Sequence, residues 1–148
     1  MSHASRILEA TASGLLVALL APPLAAATFL AIACLSPGAM PEQSDSGLSS
    51  LVLLFLGAAS GAYLLGGIPS FVAGSALPML RRRLSPAGSA ASVGLLATGA
   101  YFLSFGSHLL QGAELVATLL TYGVPSFAGA MMAGLAACRT PIARSAIS

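Results

Sequence analysis

The chain has 148 residues, 57% hydrophobic and only 7% charged, with a net charge of +2 and a mean hydropathy of +0.93. Ordinary soluble domains carry about 25% charged residues, so the chain lacks the polar groups needed to cover a water-facing surface, and lipid is the solvent that suits it. All its basic residues are arginines, Arg6, Arg81, Arg82, Arg83, Arg139 and Arg144; they sit between apolar runs and at the ends, which excludes the basic face of a nucleic-acid binder and fits a positive-inside topology.

Residues 1–13 form a short polar start carrying Arg6 and Glu9. Residues 14–35 are long enough to span a bilayer core of about 30 Å once. A secretory leader wants a basic start and a shorter apolar region of about 7–15 residues, so this segment is expected to be retained as the first transmembrane helix. Ala31-Ile32-Ala33-Cys34 resembles a lipoprotein cleavage box only loosely, because Ala31 occupies the place usually held by leucine. Pro22-Pro23 removes two backbone donors near mid-span and predicts a kink.

Residues 36–50 make a Pro-, Gly- and Ser-rich loop that carries Glu42 and Asp45 without any basic residue, the composition of a water-facing turn region. The second span, residues 51–80, would reach about 45 Å as one straight helix, more than the hydrocarbon thickness. Its break is predicted at Gly66-Gly67-Ile68-Pro69, where glycine meets a residue that forbids a helical hydrogen bond. Gly57 and Gly61 form a GxxxG pair on one helix face, expected to pack a neighbouring helix within the protomer in preference to a second copy.

Arg81-Arg82-Arg83 opens the short loop to Ser89 and is a strong cytoplasmic determinant, with lipid-headgroup contact as the sharper alternative. Residues 90–110 give the third span. Gln111-Gly112 is a minimal turn flanked by His108 and Glu114, a pair able to act as an external pH sensor or simply to mark the membrane boundary. Residues 114–138 give the fourth span, and Arg139 and Arg144 follow. In this arrangement every arginine falls on one side and Glu42, Asp45 and Glu114 on the other. Cys34 and Cys138 then lie at opposite faces, too far apart for a disulfide.

Gly67-Ile68-Pro69-Ser70-Phe71 recurs as Gly123-Val124-Pro125-Ser126-Phe127, and Gly14-Leu15-Leu16 as Gly94-Leu95-Leu96. The echo predicts two parallel helical hairpins related by a pseudo-twofold along the membrane normal. Proline frees the carbonyl one turn earlier, near Leu65 and Thr121. Two such breaks at one depth would build a small polar site from Gly67, Pro69, Ser70, Thr121, Tyr122, Gly123, Pro125 and Ser126; the simpler alternative is a pair of helix-packing notches.

No P-loop, HExxH, GxSxG or paired-cysteine motif is present in the sequence, and no ionisable residue falls at mid-span, where its burial would signal a relay. Catalytic residues, metal ligands and cofactors are therefore not predicted, and no enzyme is expected. The expectation is an all-α integral membrane protein, a single domain of four transmembrane helices with cytoplasmic termini in a plasma membrane of bacterial inner-membrane type. Its role is expected to be non-enzymatic, through helix contacts with itself in a homo-oligomer or with a membrane-protein partner; the alternative is a small-solute transporter or channel subunit using the Pro69/Pro125 region.

Overall fold

The computed structural model describes residues 3–35, 47–109 and 115–140. Helix α1 is His3–Leu35, α2 is Gly47–Ser75 and α3 is Leu77–Arg81; α4 is Pro86–Leu109, α5 is Leu115–Thr118, a π-helical turn covers Leu119–Gly123, and α6 is Val124–Arg139. All these elements are helical. They make four stretches long and apolar enough to cross a membrane, His3–Leu35, Ser49–Arg81, Pro86–Ser104 and Val116–Arg139. The helices form a ring: α1 packs on α2 and α6, and α4 packs on the same two from the opposite side.

Residue size is inverted relative to a water-soluble bundle. The core is built from Ala21, Ala73, Ala97, Ala130, Ala133 and Ala137, with Val17, Leu77 and Val93 as its larger members. Large side chains point outward: Leu64 is 81% exposed, Ile68 77% and Leu103 90%. Where the surrounding phase is as apolar as leucine, burying large side chains gains nothing from hydrophobicity, and close backbone packing through small residues becomes the source of cohesion.

Glycines set the closest approaches. A Cβ on Gly14 would lie 3.0 Å from both the ring and the carbonyl oxygen of Phe71, and one on Gly94 would lie 2.9 Å from the ring and 3.0 Å from the carbonyl oxygen of Phe127. The same contact thus joins α1 to α2 and α4 to α6, between residues that the sequence echo pairs. Between the hairpins, a Cβ on Gly129 would come within 2.6 Å of the Ala21 carbonyl oxygen and 2.7 Å of the Ala25 amide nitrogen. Gly57 and Gly61 behave differently. Nothing lies within 4 Å of a Cβ at either, so the GxxxG pair does not make the close helix contact inside the protomer that its spacing predicts; Gly57 is exposed and Gly61 half-buried.

The second span also departs from its predicted break. Helix α2 runs unbroken through Gly66, Gly67 and Pro69, and the interruption comes at Ala76. Pro78 sits in the first turn of α3, where the missing donor costs least. A single interior proline removes one hydrogen bond, and apolar surroundings favour retaining all the others. Helix α1 likewise continues through Pro22-Pro23. Pro23 cannot bond the carbonyl of Leu19, and the Tyr63 hydroxyl of α2 donates to that oxygen at 2.6 Å. A neighbouring helix thereby satisfies the acceptor that proline strands.

Helix α4 begins where Ser85 accepts the Gly88 amide at 3.2 Å and Pro86 takes the first helical position. Antiparallel contacts of Gly74 with Ser13 and Val17, and of Gly134 with Ala90 and Val93, fix the register. Arg6, Arg81, Arg82, Arg83 and Arg139 consequently share one end of the bundle, with Arg81 and Arg139 in the last turns of α3 and α6, where a cation complements the helix dipole. Glu42, Asp45, Gln111, Gly112, Glu114 and Arg144, and the His108 side chain, lie outside the described residues.

Candidate functional site: a cavity between the two Pro-Ser-Phe segments

All four long helical stretches contribute to one cavity of about 270 Å³. Helix α2 supplies Pro69 and Ser70, and the fourth span supplies Thr121, Tyr122, Pro125 and Ser126. These six residues come from the two sequence segments predicted to meet, and they line a single space. Gly67 and Gly123 do not line it. Gly67 has nothing within 4 Å of a Cβ, while Gly123 is buried with the Phe102 ring 3.4 Å from such a position. Gly123 is therefore a contact between the third and fourth spans, whereas Gly61 and Gly66 of α2 border the cavity.

The wall facing these segments comes from residues that, apart from Pro22, sequence spacing does not single out. Ala21, Pro22 and Ala26 of α1 and Ala97 and Tyr101 of α4 close the other side. One signal was present in the sequence: moving Gly14 onto Gly94 also moves Ala21 onto Tyr101. In the two hairpins these equivalent positions are both buried and both line the cavity, but one carries a methyl group and the other a phenol.

Local backbone explains the shape. The Val124 amide bonds the Leu119 carbonyl oxygen, one residue farther back than in an α-helix, so the chain widens immediately before Pro125. Such a turn relieves the pressure of a proline ring on the preceding carbonyls and redirects the side chains it carries. Thr121 and Tyr122 lie within it. On α2, with no π turn among its described residues, Pro69 leaves the carbonyl of Leu65, another lining residue, without its helical donor.

Polarity in the cavity is limited to hydroxyls and backbone. Many helical hydroxyls here bond their own helix: Thr28 to the Leu24 carbonyl at 2.8 Å, Ser60 to Leu56 at 2.7 Å and Ser104 to Ala100 at 2.8 Å. Ser70, 6% exposed, and Ser126 make no such bond among the described residues. Besides the two tyrosine phenols the lining contains no ionisable side chain. Among the described residues no three His, Cys, Asp or Glu side chains gather as metal ligands. One turn along each helix toward the arginine end, Val17, Ala73, Val93 and Ala130 belong to the packed core, while Leu65 and Tyr122 of the lining are 41% and 42% exposed.

Arg81, Arg82 and Arg83 are remote from the cavity. Arg81 is half-buried within electrostatic reach of Cys138, while Arg82 and Arg83 are exposed. Cys34 and Cys138 are both free. The chain matches no family model, no curated protein and no solved structure.

Proposed function

We propose that this chain is a non-enzymatic, multi-pass membrane protein that holds a small solute between its two Pro-Ser-Phe segments, as the binding unit of a transporter or channel. The observation that carries this reading is the convergence of Pro69, Ser70, Thr121, Tyr122, Pro125 and Ser126 on one cavity lined from all four spans. Discontinuities in membrane helices expose backbone and hydroxyl groups where apolar surroundings leave few others, and such places hold solutes in many transport folds. The matched contacts Gly14 with Phe71 and Gly94 with Phe127 support parallel hairpin repeats. The clustering of the arginines at one end supports cytoplasmic termini in a bacterial inner membrane.

The test uses Ser126→Cys in a chain with Cys34→Ser and Cys138→Ser, held in sealed membrane vesicles of known orientation. A small, membrane-impermeant methanethiosulfonate added on the side opposite the arginines is expected to modify Cys at this position, and Gly61→Phe is expected to block the reaction. Absence of modification in the folded protein from that side overturns the site.

A second reading, action through helix contacts, is favoured by Gly57, which is exposed on α2 with no neighbour at 4 Å. It requires that Gly57→Leu change the oligomer size or partner recovery in detergent. An unchanged particle removes it.

A further inference from the structure

We infer that the cavity takes an uncharged phenol or alcohol borne on an apolar ring, an inference that rests on the solute site proposed above. Three features of the lining carry it. The first is charge. Carboxylate and guanidinium groups are absent from the lining, and a charged ligand buried there would meet no counter-ion, a cost that ordinarily expels or neutralises it. Ammonium and carboxylate solutes are therefore selected against by the wall itself.

The second feature is the distribution of hydroxyls. Hydroxyl-bearing residues border the cavity from α2, with Ser70, and from the fourth span, with Thr121, Tyr122 and Ser126, while α1 contributes only apolar side chains such as Ala21, Ala26 and Phe29. A ligand with one polar atom directed toward the hydroxyl wall and an apolar body against α1 satisfies both sides. Hydroxyl groups can donate or accept, so a phenol or alcohol is suited without any change in protonation.

The third feature is shape. Tyr101 and Ala21 occupy equivalent places in the two hairpins, and both border the same space. The second hairpin presents a phenol ring to the cavity at this place, and the first presents only a methyl group. An apolar cavity of about 150 Å³ accepts benzene. The volume here, about 270 Å³, has room for a fused two-ring ligand.

The experiment uses the full chain in detergent micelles and three probes sharing one ring system: 2-naphthol, 2-naphthoate and 2-naphthylmethylammonium. The chain has 3 tyrosines and no tryptophan, and Tyr101 and Tyr122 line the cavity, so saturable loss of tyrosine emission reports occupancy. 2-Naphthol is expected to saturate the signal at a concentration lower by about tenfold or more than either charged probe. Gly61→Phe and Gly66→Phe project a ring into the cavity from positions with nothing within 4 Å of a Cβ, and each is expected to abolish the saturable component. Gly57→Phe, equally open but outside the lining, is expected to retain it. The double change Ser70→Ala/Ser126→Ala is expected to weaken 2-naphthol by about three- to tenfold while leaving naphthalene itself unaffected.

Equal or tighter saturation by a charged probe overturns the ligand class and leaves the solute site standing. If none of the three probes saturates, the ligand class falls, and the solute site stands or falls by the Ser126→Cys labelling. Saturation by 2-naphthol that survives both Gly61→Phe and Gly66→Phe overturns the assignment to this cavity.

Discussion

At Gly14 and Gly94 a hydrogen stands where any side chain would strike a phenylalanine on the facing helix. Gly14→Ala and Gly94→Ala are each expected to destabilise the bundle by about 1–3 kcal/mol through overpacking, measured by thermal or denaturant unfolding in detergent. Gly129→Ala should cost the most, because the added carbon meets backbone at 2.6 Å from the Ala21 carbonyl oxygen. Gly57→Ala has the opposite sign, a gain of about 0.5–1 kcal/mol from lower unfolded-chain entropy with no clash. Sequence reading marked the GxxxG pair because its spacing is visible. It could not tell which way that face turns, since the direction depends on how α1 crosses α2. Tyr63→Phe tests a different interaction. Removing the hydroxyl that serves the Leu19 carbonyl is expected to cost about 1 kcal/mol, and a melting midpoint indistinguishable from the parent would show that bond to be idle.

On the scale of whole helices, proline had two outcomes. Helix α2 absorbs Pro69 without leaving α geometry, whereas the fourth span widens into a π turn before Pro125. The repeated Gly-x-Pro-Ser-Phe string was legible as a shared element, and its convergence on one space follows from the second and fourth spans running in the same direction. The different backbone responses were not legible, because the two copies are nearly identical and the distinction comes from their surroundings: Phe102 lies against Gly123, while Gly67 meets open space. A π turn behaves as one inserted residue, so deletion of Leu120 is expected to restore an α-helical register and keep the bundle folded. Deletion of Leu64, inside regular α2, should lower stability substantially more. Comparing the melting of the two deletions checks the assignment, and equal losses would refute it.

For the molecule as a whole, the four apolar runs and their arginine boundaries were readable because span length and charge placement answer to the bilayer directly. Tyr101 and the α1 wall of the cavity were not, since neighbours across a bundle leave no mark on sequence spacing until the hairpins are superposed. The orientation proposed from the arginines yields a whole-cell prediction: a membrane-impermeant thiol reagent added outside is expected never to modify Cys138, which shares the arginine end, and to reach Cys34 at the other. Modification of Cys138 alone would invert the topology.

The Gly–Phe clasp occurs once in each hairpin and does not depend on the loop that joins them. Only residues 82–85 link α3 to α4 in sequence, and the two halves otherwise cohere where α4 packs on α2 and α3 and through the Gly129 approach to Ala21. Severed there and translated as two polypeptides, the halves should recognise one another and reconstitute the cavity, recovered together by an affinity tag placed on either fragment. Loss of recovery on adding Gly129→Leu would identify that seam as the adhesive.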